Sequence, residues 1–584
     1  MIGNLSHLVR DPDLPIGQAF TLDSSHILCI IFIYHCALNG AFPYTNMDPE
    51  IMDVTWQMLI LGGLSLSLGW GIRGNFGHET GAAIPGALAA MGIVLVSGRP
   101  DWWPRITYFA MFGALGWSFG GSMSYMHVVS YTHSGHPTSV LYGFANLFVI
   151  GFLWASLGGA GTALPALLSS EQLCLFFVPL IAIFIGWGLR SVILDLVPHV
   201  NSAERHRSRL YWYDTDWLAT LIAFAVTILV IIFRGRIDMA TSLILHLTIG
   251  WYASFLLLVN VLKIRMTPPR GDNWSGCLGM VMGLLVYCWR HSLSGLASAA
   301  LATGFIGGIG FALGQLLKLI YIKTGLKANW HSVMEQTQGL FHGVGLAVTM
   351  SLLASRAPSI SNEHSLSPWM LVFSVSFVLV LLTYLNHKKA VGTWIQQVES
   401  LPEKFYGLPA SGLFRPRSGM IGWFELVYIG IGIAVVWLSA AHLRNPLAFV
   451  PSNWLGKGQL LYVIFLWWIV VFNFERALVG FTPQRLVTEG IITWNAIICT
   501  VFVGLAPQNV SIRESVYQTG IPAEWIVKVL SFGLAAVVLI TMTEWLITHA
   551  LYGHQHAPGA GLHIRFGPNS TATKAKPQAG QKHP

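Results

Sequence analysis

Arg73, His78 and Glu79 are set among glycines at positions 69, 71, 74, 77 and 81, between two long apolar runs. An ionisable group at membrane depth is costly and is kept where it faces a partner, a cavity or a solute. An arginine in this setting suits an anionic or hydroxylated group, and a nearby glutamate suits a coupling proton or Na+. Apolar surroundings favour the neutral acid form of such a carboxyl, as a proton carrier requires. The glycines permit unusual backbone angles, and Pro85 removes a helical hydrogen bond. Residues 69–87 therefore read in two ways: a broken, re-entrant helix lining a wet cavity, or an ordinary hairpin closed by an Arg73–Glu79 ion pair.

Glu335, Gln338 and His342 follow i, i+3, i+7 spacing and share one helix face. A polar stripe on a membrane helix is expected to face the bundle interior; the competing reading of Glu335 is a helix-start carboxylate favoured by the dipole. If the chemistry is hydrolytic, Glu79 and Glu335 form an acid/base or acid/nucleophile pair with His78 as an alternative base. Trp70 and Trp117, beside the glycine-rich stretches, offer faces for a sugar or planar ligand, although most of the 23 Trp residues are expected in interface belts. His127, His133 and His136 occupy one connection; they are a weak metal candidate, set against solvated or packed histidines. Asn473, Glu475, Arg476, Arg485 and Glu489 read as a mutually neutralising network. Glu425 and Glu544, inside apolar runs, are secondary candidates.

Elements that position these residues follow from composition. The chain has 584 residues, 54% hydrophobic and 10% charged, with a mean hydropathy of +0.60. A soluble domain carries about 25% charged residues. Lipid-facing helices need almost none, so the fold class is an all-α polytopic membrane protein. Apolar runs of about 17 to 25 residues give about fifteen transmembrane helices, from 54–72 to 525–551. Residues 25–42 stay open as an extra span, an uncleaved signal-like segment or an N-terminal extension. Basic residues cluster in alternate connections (Arg205, Arg207, Arg209; Lys318, Lys323, Lys327; Lys388, Lys389), which puts the C-terminus in the cytoplasm of a bacterial-type inner membrane. The formal charge of +8 is accounted for by that topology and gives no sign of nucleic-acid binding. The six cysteines are scattered and form no CxxC pair. HExxH, Walker A and GxSxG motifs are absent from the sequence.

Gly113, Gly116 and Gly120 align with Gly307, Gly310 and Gly314. An offset of six spans preserves orientation, which implies a parallel internal repeat of about six helices; small-residue helix packing alone gives similar spacing. The expected organisation is an N-terminal segment 1–53, a first helical repeat 54–233, a second 239–442, an additional three-helix unit 458–551, and a disordered tail 559–584. Within connection 385–417, apolar residues suggest a segment lying on the membrane surface.

These features lead to a secondary transporter of a polar small molecule, a sugar or organic anion, coupled to H+ or Na+ and needing no other cofactor. Its expected partners are the solute and the bilayer, and an enzyme is the lesser expectation. Alternatives are an intramembrane enzyme acting on a lipid-linked or glycosidic substrate, and a non-catalytic membrane assembly subunit.

Overall fold

The computed structural model describes residues 56–77, 79–197, 216–264, 273–360, 368–387, 453–479, 483–506 and 521–559, with a few isolated positions besides. The candidates His78 and Glu425, the N-terminal segment 1–53, the apolar run 420–442, the surface segment expected in connection 385–417 and nearly all of the tail lie outside the described residues. What is described is helical. In chain order the helices are α1 (Trp56–Arg73), α2 (Glu79–Leu95), α3 (Ile106–Gly121), α4 (Met126–Thr132), α5 (Pro137–Leu167), α6 (Ser170–Cys174), α7 (Phe177–Leu196) and α8 (Asp216–Arg234). They continue with α9 (Met239–Ser254), α10 (Asn273–Arg290), α11 (Ser294–Lys323), α12 (Trp330–Arg356), α13 (Pro368–Ser376), α14 (Trp454–Val479), α15 (Pro483–Gly504) and α16 (Ala523–Tyr552). Among the described residues ten helical segments are long and apolar enough to cross a membrane, and the chain is a multi-pass membrane protein. Each expected span that falls on described residues is helical.

Local signals set the helix ends. Ser169 caps α6 in a reciprocal capping box with Gln172, and Asp238 does the same for α9 with Thr241. Asn329 accepts the Ser332 N–H at the start of α12. Gly553, at φ +56°, ends α16.

Six helices form a closed ring: α1 packs on α2, α2 on α3, α3 on α5, α5 on α11, α11 on α12, and α12 back on α1. With no hydrophobic drive between helices in lipid, such seams rely on close backbone approach. A Cβ on Gly343 would stand 2.0 Å from the Gly62 carbonyl oxygen, so α12 meets α1 backbone to backbone. Each glycine row noted in the sequence packs on the long helix that follows it: Gly116 on Leu157 and Gly161 of α5, and Gly310 on Phe341 of α12. Outside the ring, α7, α8 and α16 turn Ile185, Leu229, Ile232, Phe233, Val538 and Leu546 outward, as lipid-facing helices do.

Candidate functional site

Trp70 of α1, Trp117 of α3, Trp154 of α5 and His342 of α12 fill the ring's interior, each at most 1% exposed. Trp117 fits because Gly86 and Gly158 flank it, where a Cβ would come within 2.4 Å and 2.2 Å of the indole. Trp70 Nε1 donates to His342 Nδ1 at 2.9 Å, and Trp154 Nε1 donates to the Trp117 carbonyl at 3.0 Å. The two tryptophans singled out in the sequence are thus buried and tightly packed.

One helical turn below Trp70, Arg73 ends α1 with 5% exposure. Its guanidinium lies 4.7 Å from the Trp154 ring centroid, 5.1 Å from Trp70 and 5.3 Å from Tyr125. Desolvated cation–π contacts of this kind contribute about 2 kcal/mol. Nη2 donates to the Tyr125 hydroxyl at 3.0 Å and lies 3.4 Å from a Glu335 carboxylate oxygen. Tyr125 donates to that same oxygen. Burial, with the Glu335 carboxylate second, pushes the Tyr125 hydroxyl well above its ordinary range, so it remains a donor. His331 stacks on the Tyr125 ring, and its Nε2 is 3.8 Å from Glu335.

Lys318, 6% exposed on α11, lies within electrostatic reach of Glu335 and makes no hydrogen bond or ion pair among the described residues. Glu335 thus has one buried cation, Arg73, in contact and a second, Lys318, beyond ion-pair distance. Arg73 Nη1 and Gln338 Nε2 are buried without hydrogen-bond partners. Buried polar groups are almost always satisfied, and an exception calls for a cause.

No family model, curated protein or solved structure matches the chain.

Two other buried arginines give the contrast that matters. At the far end of the ring, Arg99 holds Asp101 through two bonds of 2.7 Å and 2.5 Å and reaches the carbonyls of Ala354, Ala357 and Pro358. Arg105 binds the Pro165 and Leu168 carbonyls and the Ser170 hydroxyl at 2.7–2.9 Å. Its burial lowers it to about 10. Both are fully engaged in closing helix ends, whereas Arg73 keeps an unused donor.

Sequence candidates divide around this centre. Arg73, Glu335, Trp70, Trp117 and His342 converge; Gln338, 3% exposed, sits one turn from Glu335 on α12. Glu79 does not join them. It opens α2 as an exposed residue: α1 stops at Arg73, a turn follows through Gly77 at φ +90°, and α2 runs back along α1 with Glu79 at its exposed start. Residues 69–87 thus form a helix–turn–helix with Pro85 carried inside α2. The expected Arg73–Glu79 pair is replaced by Arg73–Glu335.

His127 lies on α4, His133 Nδ1 is 3.3 Å from the Ala557 carbonyl, and His136 caps α5 by accepting the Ser139 N–H. Among the described residues no three His, Cys, Asp or Glu side chains gather as metal ligands. Of the expected acid–base network, Asn75 donates to Asn473 Oδ1 at 3.1 Å, and Asn473 donates to Glu489.

Sequence reasoning missed Tyr125, Trp154, Lys318 and His331 as members of the centre. His331 sits one turn before Glu335 on its face, a spacing legible in the sequence; Tyr125 follows a Gly-Gly-Ser connection and gave no such signal.

Proposed function

We propose that the chain is a secondary transporter of a small organic or inorganic anion, with the Arg73–Tyr125–Glu335 centre and Lys318 as its solute site. One observation carries the reading. Arg73, unlike Arg99 and Arg105, is buried with an unused Nη1, and with Lys318 it leaves the centre one positive charge in excess of Glu335. In a low-dielectric setting that excess attracts an anion strongly. Glu335 then acts as the internal substitute, occupying Arg73 when no solute is present and giving way when one arrives.

Glycine seams support the transport half of the proposal. Helices in backbone contact have few side chains to interlock, which suits sliding or rocking of one part of the ring against another. We read α3–α5 and α11–α12 as the equivalent pairs of a parallel repeat, and the C-terminal end as cytoplasmic in a bacterial-type inner membrane. Coupling is to H+ or Na+. The enzymatic alternative needs a second acid beside Glu335, and the described polar neighbours of Glu335 are Arg73, Tyr125, His331 and Lys318.

The test is ligand-dependent unfolding of the full chain in detergent, with inorganic phosphate, succinate and a neutral hexose as probes. A ligand that binds the folded state raises the midpoint with concentration. An anion is expected to do so in the wild type and to lose the effect in Arg73→Gln and Lys318→Gln; the same anion should then accumulate in proteoliposomes. Stabilisation by the hexose alone, or an anion response unchanged in both variants, overturns the proposal.

A further inference from the structure

α16 lies against α5 and α11. Gly533 admits the Phe305 ring, Trp545 Nε1 donates to the Pro137 carbonyl at 3.0 Å, and the Tyr552 hydroxyl donates to the Leu319 carbonyl at 2.7 Å. On the face so covered stands Glu544, 2% exposed, with neither carboxyl oxygen hydrogen-bonded. Thr541 and Thr548, 4% and 3% exposed, occupy the same face at i−3 and i+4, and their hydroxyls are equally without partners.

Threonine hydroxyls in these helices ordinarily bond the carbonyl four residues back, as Thr227, Thr493, Thr500 and Thr543 do. Thr541 and Thr548 depart from that habit on either side of an unbonded carboxyl. An isolated charge in this position would cost many kcal/mol, and such groups neutralise instead. A proton is the smallest neutralising ligand, and it requires no coordination shell. A metal ion would need several oxygens around it at once, and the two hydroxyls are separated by seven residues, about 10 Å along a helix.

The charged and titratable groups of the packed elements are few. α5 carries no charged side chain, and α11 carries Lys318 and Lys323; Lys323 sits over the Tyr552 ring at 5.2 Å. His549 follows on α16, and His133 comes from the α4–α5 connection. None of them hydrogen-bonds the Glu544 carboxyl. Thr548 also lines a small cleft together with Thr132, His133, Pro137, Trp545 and His549, with room for roughly one water molecule.

We propose that Glu544 is a proton-binding site of this protein, loaded from the cleft that Thr548 lines, with Thr548 passing the proton to the carboxyl and Thr541 continuing the path. This supplies the coupling ion of the transport reading, as H+, at a place separate from the Arg73 centre. Loading requires the Thr548 hydroxyl, unbonded at rest, to turn between the cleft and the carboxylate: a hydronium in the cleft gives it a proton as it passes its own to Glu544, which leaves a water in the cleft, a neutral hydroxyl and a neutral carboxyl.

The test is infrared spectroscopy of the full chain in lipid. An unbonded carboxylic acid has a C=O stretch at higher frequency than a hydrogen-bonded one, and it shifts when the proton exchanges for deuterium. The expected result is one such band at neutral pH that vanishes in Glu544→Gln, shifts in Glu544→Asp should the glutamine variant fail to fold, and is unchanged by Na+. In Thr548→Val its deuterium exchange should slow several-fold at an unchanged unfolding midpoint. Absence of the band, its loss on adding Na+, or an unaltered exchange rate in Thr548→Val overturns the proposal. No transported solute enters the measurement, so its failure leaves the anion site standing, and loss of anion binding leaves Glu544 untouched.

Discussion

The Trp70 indole N–H points at Nδ1 of His342 across 2.9 Å, joining α1 to α12 at the middle of the helix ring. That bond fixes the His342 tautomer, since Nδ1 must accept, and it holds the Trp70 face 5.1 Å from the Arg73 guanidinium. Aromatic interior and polar centre are therefore one structure. The ring that cages Arg73 is itself held by a histidine from the helix that carries Glu335.

Trp70→Phe keeps an aromatic ring but leaves a buried His342 nitrogen without its donor. The cost of such an orphan is about 1–3 kcal/mol, seen as a lowered unfolding midpoint in detergent. Anion-dependent stabilisation should weaken as well, because Arg73 loses one wall of its cage.

Removing either member of the Arg73–Glu335 pair leaves a buried charge unbalanced. Arg73→Leu alone is expected to destabilise by about 3 kcal/mol, and Arg73→Leu with Glu335→Leu to recover much of it. A double-mutant cycle measures the coupling; additive losses would show that the two side chains do not act as a pair.

Helix seams predict a contrast between two glycines. Gly343→Ala drives a methyl to within 2.0 Å of the Gly62 carbonyl and should cost about 3 kcal/mol or more, or abolish folded protein on size exclusion. Gly188→Ala, in α7 with no atom within 4 Å of the added Cβ, should be neutral or raise stability by about 0.5–1 kcal/mol through helix propensity.

Tyr125 gives a pH dependence. Its folded-state ionisation is raised, first by burial and then by Glu335, so the folded protein holds this proton where the unfolded chain releases it. The stabilisation is complete below the unfolded value of about 10 and is lost as pH rises beyond it. Unfolding midpoints should fall less steeply above about pH 10 in Tyr125→Phe than in the wild type.

Glu335, Gln338 and His342 were legible as one inward face because helical period alone puts them there. Lys318 looked like a topology signal in a basic connection, since nothing local marks a lysine as buried; only the packing of α11 against α5 and α12 encloses it. The reading of Glu79 went the other way: its position beside Arg73 in the chain suggested a partner, but the turn at Gly77 points α2 elsewhere. A short hairpin leaves that outcome to a few backbone angles that glycine does not fix.

By itself the sequence determined that this is a many-helix membrane protein, and it placed the helices with their glycine rows. Hydropathy and periodicity are properties of neighbouring residues, and lipid enforces them span by span. Tertiary structure decided which charges meet. Arg73 and Glu335 are separated by 262 residues, and they come together only because α12 closes the ring on α1 through the contact of Gly62 with Gly343. A contact of that kind depends on the packing of all six helices at once, which no stretch of the chain encodes alone.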